Sequence, residues 1–211
     1  MTLRLALDGV YLQPPTDDDL VQLARRAADP GAVLPPGEAH FVTWIAGRTP
    51  QQSAQDRIAR VQANRDHTRR PGWTLDLAVM VEEQPAGVQS LSGFDQWPHH
   101  RVVGTTSWLL AAFQDRGIGT LARAAVLELA FAHLRAESAK SWVLDENRAS
   151  IGVSTKLGYR LIDRHHITEH GSRYAEGVYQ LDRDAWLESP VRPRYRPAIT
   201  GAEHLVHLLD R

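Results

Sequence analysis

The sequence predicts a mixed α+β domain in which a central, mostly antiparallel twisted sheet of about seven strands is flanked by helices, with a C-terminal extension. Three observations predict it. Short runs with apolar residues at alternate positions recur along the 211 residues, several of them joined by very short connections. Blocks with apolar residues at helical spacing lie between them. Hydrophobic residues make up 43% of the chain and charged residues 23%, which suits a real core under an ordinary surface.

Leu3, Leu5 and Leu7 alternate and lead through Val10-Tyr11-Leu12 to Pro14-Pro15, a first strand. Thr16 ahead of Asp17-Asp18-Asp19 starts a helix, because its hydroxyl caps and the carboxylates suit the positive end of the dipole. That helix runs to about Ala28 and stops near Asp29-Pro30-Gly31. Residues 30 to 48, with scattered Pro and Gly and the isolated Phe41 and Trp44, read as a long loop. Thr49-Pro50-Gln51-Gln52 is a capping box with Pro at the first helical position, opening a helix over 50–66. Trp73–Val81, Ala86–Phe94 and Arg101–Leu110 form three successive strands, an antiparallel meander. A helix over 117–135 sets Ile118, Leu121, Ala125, Leu129 and Ala132 on one face, widened by Ala122, Val126 and Phe131. Ser141–Leu144 is a short buried strand, and a helix starting at Asn147-Arg148-Ala149-Ser150 ends at Leu157-Gly158. Arg160–Thr168 and Arg173–Leu181 make a hairpin around His170-Gly171-Ser172. The boundaries are a domain over 1–188 and an extension over 189–211, extended at first and then a short amphipathic helix.

Composition excludes several functions. Lys and Arg number 24 against 25 Asp and Glu, a formal charge of −1, so no nucleic-acid or membrane-surface partner is expected. There is no cysteine, hence no disulfide, thiolate metal site or cysteine nucleophile. The first residues lack signal-peptide form, and no apolar run approaches the ~18 residues of a membrane span, so a cytoplasmic protein is expected. The ten histidines do not make a metal site. His99-His100 and His165-His166 are adjacent and point to opposite faces of a strand. His166 and His170 have helical zinc spacing but lie in a hairpin, about 13 Å apart. His204 and His207 share a helix face without a third ligand. Trp73, Trp97, Trp108 and Trp142 read as core or rim packing.

The chemistry gathers at Gln114-Asp115-Arg116-Gly117-Ile118-Gly119-Thr120, between the strand ending at Leu110 and the apolar helix. Three readings compete. Gly117 to Ala122 matches the dinucleotide fingerprint, but six residues separate it from its strand and the preceding strands are antiparallel, unlike a Rossmann unit. The glycines could instead only let the helix pack. In the third reading, the helix start offers unpaired amides and a positive dipole end to a phosphate. Gly117 and Gly119 then admit it closely, Gln114 and Arg116 close over it, and Thr120 adds a hydroxyl.

Gln114-x-x-Gly117-x-Gly119 resembles the pyrophosphate-binding signature of the GNAT superfamily of N-acetyltransferases. Asn147-x-x-Ser150 followed by Leu157-Gly158-Tyr159 resembles that family's second conserved stretch, one helix and one strand further on. The resemblance covers about 75–185. Within the family, the Asn-x-Ala-Ser pattern and the start "LRLALDGVYLQPPTDDDL" look like the ribosomal-protein (RimJ/RimL-like) branch and its mycobacterial succinyltransferase-like subgroup. A departure from that branch is Gly104-Thr105-Thr106-Ser107, where Glu-x-Gly-Tyr is common. The resemblance implies acyl-CoA as co-substrate, acetyl-CoA first and succinyl-CoA as the alternative, without a metal. It implies a primary amine as acceptor, whether a protein N-terminus, a lysine or a small amine. A homodimer or higher homo-oligomer is open.

On this resemblance the cofactor-binding residues are Trp108, Leu109 and Leu110 on the strand, Gln114, Arg116, Gly117, Ile118, Gly119 and Thr120 in the turn, and Asn147 and Ser150 across from it. The pantetheine arm would add like a strand where residues 102–110 splay from 141–145. Asn147 is equally a helix cap. Many relatives carry a tyrosine, four residues before the glycine of Leu-Gly-Tyr, as thiolate acid; here that place is Ser154. In the ribosomal-protein branch the serine of Asn-x-x-Ser is the proposed acid, so the resemblance makes Ser150 the expected acid, against a purely local backbone role. Glu169 is the expected base, at a spacing where that branch carries a glutamate, with His165, His166, His170 or water as competitors. A non-catalytic acyl-CoA-binding sensor on the same scaffold is the rival from another class. The acceptor site would be built by the 30–48 loop, the 50–66 helix and the 168–173 hairpin tip.

Overall fold

Asp8 and Gly9, at φ 48° and 77°, fold the first predicted strand back on itself. The expected single strand is two, β1 (Arg4–Leu7) and β2 (Val10–Gln13), antiparallel with Leu7 opposite Val10. Two residues with positive φ make the tight turn whose twist matches that of a hairpin, and Asp-Gly is suited to it. Glu82 and Glu83, at φ 49° and 60°, do the same between β3 (Thr74–Val81) and β4 (Gln84–Gly93).

The structure is a computed structural model and describes residues 2–34, 48–65, 72–94, 96–169 and 171–209. Among them, β5 (Val102–Leu109), β6 (Ser138–Leu144), β7 (Arg160–Glu169), β8 (Ser172–Asp182) and β9 (Ala198–Thr200) complete a sheet ordered β7-β8-β6-β5-β4-β3-β2-β1-β9. Every pairing is antiparallel except β5 with β6. Nine strands replace the expected seven: the hairpin at Asp8-Gly9 adds one, and the C-terminal segment adds another by pairing β9 with β1. The fold class is the mixed α+β one the sequence predicts.

Helices α1 (Asp17–Ala27) and α2 (Pro50–Asn64) pack together, α1 against β4 and α2 against β3. Each starts with a closed capping box, Thr16 with Asp19 and Thr49 with Gln52. A single 3₁₀ turn, Ala111–Phe113, bridges β5 to α3 (Ile118–Glu128). α3 is buried almost all round: Ala122, Ala124 to Leu127, Leu129, Ala130 and Phe131 are all shielded. At Leu129–His133 it widens into a π turn. The extra residue in that turn rotates the end of the helix, so Phe131 and Leu134 go inward and Ala132, expected on the core face, is exposed. α4 (Arg148–Lys156) packs beside α3, and Gly158, at φ 91°, ends it.

The segment 189–211 is stitched to the core. After α5 (Arg183–Leu187), Arg192 reaches Glu128 of α3, β9 joins the sheet, and α6 (Ala202–Leu209) receives the Trp97 indole N–H at the Leu209 carbonyl, 2.8 Å away. No helix among the described residues is long and apolar enough to cross a membrane.

Candidate active site

β5 and β6 are paired only at Val102–Gly104 against Ser138–Lys140. Beyond Gly104 the two strands separate, while β5 keeps β4 on its other edge as far as Leu109. Every second residue of a strand turns its N–H and C=O to each side, so from Thr105 on, β5 presents backbone groups to an open gap. Two helix starts bound the gap. β5 leads to the glycine turn and the start of α3, and β6 leads to Asn147 and the start of α4. Because these strands are parallel, both helix starts emerge at the same edge of the sheet.

The glycine turn has the makings of an anion cradle. Gly117 caps α3 in the left-handed region, at φ 78°. The N–H groups of Thr120 and Leu121 both go to the Gly117 carbonyl, at 3.0 and 3.1 Å. Those of 115 to 119 find no hydrogen-bond acceptor among the described residues. Gly117 needs glycine for its φ, whereas a Cβ on Gly119 would meet only Leu109 Cδ1 at an ordinary 3.7 Å. Among the described residues, then, nothing crowds position 119, and the turn has open space beside it.

Gln114 spends both amide protons on carbonyls, Val33 at 2.6 Å and Leu109 at 2.9 Å. It shapes the turn and ties it to the beginning of the 30–48 segment, aided by the Ala111 N–H on the Ala32 carbonyl. Arg116 lies over Phe113, 5.7 Å from its ring centroid. The Thr120 side chain is buried. Trp108 faces the α1–α2 layer under Arg57.

Across the gap, Asn147 Oδ1 accepts from the Ser150 N–H at 3.0 Å, so Asn147 is the cap of α4. Ser150 is half-buried in the first turn. Glu169 ends β7, opposite Ser172. Leu144 is opposite Glu176, so the β7–β8 hairpin overhangs the end of β6 by several residues at the edge that carries both helix starts. The side chains of Glu169 and His170 lie outside the described residues, as does most of the 30–48 loop. His165 is held between two carboxylates, Nε2 3.2 Å from Glu176 and Nδ1 3.7 Å from Asp163.

Two groups have no counterpart among the sequence-predicted site residues. On the α2 side, Asp76 accepts from Asn64 Nδ2 at 2.7 Å and from the Ser90 hydroxyl. Inside, Arg123 of α3 is 3% exposed and donates to Ser154 Oγ at 2.9 Å and Ser107 Oγ at 3.4 Å. Tyr159 bonds Thr105 beside it, at 3.3 Å between oxygens. Burial pushes the Arg123 guanidinium below its ordinary value and the Tyr159 phenol above its own. The sequence does carry a signal for Arg123: a cation amid an otherwise apolar helical run.

A frame with a phosphate-ready helix start at one end and an open strand edge leading from it suits a ligand with a phosphate head and an extended, amide-bearing arm. The sequence matches the acetyltransferase (GNAT) domain over residues 10–160. The chain belongs to the GNAT acetyltransferase family, whose members are N-acetyltransferases drawing on acetyl-CoA. Similar solved structures include RimJ of Mycobacterium smegmatis in complex with CoA-disulfide, at 17% identity over 98% of this chain and 93% of that one, TM-score 0.68. The ribosomal L7/L12 α-N-protein acetyltransferase RimL in complex with coenzyme A is 16% identical over 86% and 99%, TM-score 0.69. A chimera of the spermidine N-acetyltransferase SpeG from Vibrio cholerae is 12% identical over 86% and 99%, TM-score 0.65. At these identities the likeness is one of fold.

Proposed function

We propose that the protein transfers an acetyl group from acetyl-CoA to a primary amine, a protein N-terminus, a lysine or a small amine. The observation that carries this is the turn 114–120: a fan of N–H groups with no acceptor among the described residues, at the start of a buried helix and with room beside Gly119, opening onto the side of β5 that β6 leaves after Gly104. In this reading the N–H groups of Arg116, Gly117, Ile118 and Gly119 take the pyrophosphate, Thr120 and the Arg116 side chain support it, and Gln114 shapes the turn. In the same reading the β5 segment that runs through Trp108, Leu109 and Leu110 takes the amide-bearing arm along its gap-facing side as an added strand, with Asn147 and Ser150 closing the opposite side.

The amine nitrogen attacks the thioester carbon. N–H groups of the β5 edge receive the charge on the carbonyl oxygen, which is where such donors lower a barrier most. Glu169 takes the ammonium proton, directly or through water, and Ser150 delivers a proton to the departing sulfur. RimL is named as a ribosomal-protein α-N-acetyltransferase and SpeG as a spermidine N-acetyltransferase, so a protein N-terminus and a small polyamine are the acceptors to test first.

Because the chain has no cysteine, any thiol released in an assay belongs to coenzyme A. The expected result is amine-dependent thiol release from acetyl-CoA with at least one member of a panel of N-terminal peptides, lysine peptides and polyamines. Coenzyme A binding without release for any amine would make the protein a sensor module. More productive use of succinyl-CoA in direct competition would replace the acetyl assignment.

A further inference from the structure

Arg123 is an anomaly for a helix that is otherwise apolar. Its guanidinium is buried, and its partners are two neutral hydroxyls, Ser154 Oγ at 2.9 Å and Ser107 Oγ at 3.4 Å. Among the described residues its buried Nε has no hydrogen-bond partner and its side chain bonds only the two serines, with no carboxylate. Tyr159 is the titratable neighbour, and burial keeps that phenol protonated and neutral. A buried cation lacking a counter-charge is costly to keep, and an apolar side chain of similar volume would fold more easily.

The position explains what the cation serves. Ser107 lies on β5 just past Gly104, where pairing with β6 stops, and is exposed. Ser154 comes from α4 on the other side. Each hydroxyl accepts from Arg123 with its oxygen and so keeps its own proton free to donate onward. A hydroxyl held this way is a stronger donor than a free one, because the guanidinium draws charge from its oxygen. Ser107 is the exposed one of the two, so its hydroxyl is the donor within reach of the opening where, on the acyltransfer reading above, the reacting end of the thioester lies.

We propose that Arg123, held from inside by the fully buried Ser154 and acting through the exposed hydroxyl of Ser107, stabilises the negative charge that collects on the sulfur of coenzyme A when the acyl group leaves. The balance is simple. The amine nitrogen forms a bond to the carbonyl carbon and gives up one proton, the C–S bond breaks with its electron pair going to sulfur, and sulfur finally takes up one proton. Arg123 neither gains nor loses a proton and need not touch the sulfur. It is a positioning residue whose charge is matched only while the thiolate exists, which is why the resting protein keeps it unpaired.

The test uses Arg123→Met and Arg123→Lys in the full chain, with two readouts. The first is the titration of the coenzyme A thiol in its binary complex, followed by ultraviolet absorbance of the thiolate; the absence of cysteine leaves that thiol as the sole one present. The wild type should hold the bound thiol below its free pKa, Arg123→Lys should retain part of the shift, and Arg123→Met should abolish it. The second is steady-state turnover with acetyl-CoA. Arg123→Met should lower kcat by ~100-fold, with KM for acetyl-CoA unchanged and thermal stability equal or higher. A thiol that titrates identically in wild type and Arg123→Met overturns the proposal, as does a loss of turnover that only tracks a loss of stability. A defect confined to KM for succinyl-CoA also overturns it, assigning the cation to an acyl carboxylate. Should Arg123→Met not fold, the Ser107→Ala, Ser154→Ala double variant keeps the cation and must lose the thiol shift. The titration needs no acceptor, so it judges Arg123 even if no amine supports turnover, a result that would overturn the acyltransferase reading itself.

Discussion

Glu128 is where the C-terminal segment is fastened, and its removal has a calculable consequence. Its carboxylate, in a residue 3% exposed, accepts from Arg192 Nη2 at 2.7 Å, Arg192 Nε at 2.9 Å and the Trp186 indole N–H at 3.0 Å. Arg196 adds a longer contact at 3.8 Å. Burial alone would raise the Glu128 carboxyl; the Arg192 and Trp186 hydrogen bonds outweigh it and hold the group below the usual carboxylate range. Glu128→Gln keeps the shape and an acceptor for Trp186 but turns an amide N–H₂ or a neutral oxygen toward the Arg192 fork. Breaking a buried pair costs about 3–5 kcal/mol. The Arg192 side chain keeps 21% of its surface in water, so screening puts the expected loss at the low end, about 3 kcal/mol. For a chain of this length that corresponds to a fall in Tm of roughly 6–12 °C, followed by circular dichroism. The pH dependence has a definite sign. A folded-state pKa below the unfolded one gives stability that is present above the unfolded carboxylate pKa and lost as pH falls through the lower folded value. The gap between wild type and Glu128→Gln should therefore be full at neutral pH and close in acid. A gap that is absent at neutral pH, or that persists unchanged in acid, would refute the pairing as the fastening.

Gly119→Glu should abolish coenzyme A binding by calorimetry while the protein stays folded, because the interior tolerates the Cβ and only an anionic ligand opposes the carboxylate; unchanged affinity would remove the turn from the binding site. Gly93→Ala should destabilise by about 1–3 kcal/mol in denaturant unfolding, since its Cβ would enter the Trp73 indole, which is buried and held edge-on to Trp97. Ser150→Ala should lower turnover and spare coenzyme A affinity, and Glu169→Gln should erase the acidic limb of the rate profile. Wild-type behaviour in either would move that role to Ser154, a histidine or solvent.

Much of the layout is legible in the sequence because it is written locally. The Thr16 cap, the capping box at Thr49, the β3-β4-β5 meander, the glycine turn at a helix start and the Asn147 cap are decided by short-range sterics and hydrogen bonds between near neighbours in sequence. The Asp8-Gly9 hairpin is equally local but easily passed over: Leu3 to Leu12 reads as one apolar run unless the two turn residues are weighed first. The π turn at Leu129–His133 leaves no such mark, because it arises from fitting Phe131 and Leu134 into the core together.

What the amino-acid order determined by itself is therefore the fold class, the order of its elements and the place of the glycine turn at the head of α3. The splay of β5 from β6 was expected from the resemblance; tertiary structure alone decided that it starts after Gly104, that β9 closes the far edge against β1, and that Gln114 turns inward to carbonyls. It also decided that Arg123 stands between a serine on β5 and another on α4, 16 residues before it and 31 after it. The physical reason is that a helix start is made by its neighbours in sequence, whereas a buried cation takes its meaning from side chains that only the folded sheet and helices bring within hydrogen-bonding reach.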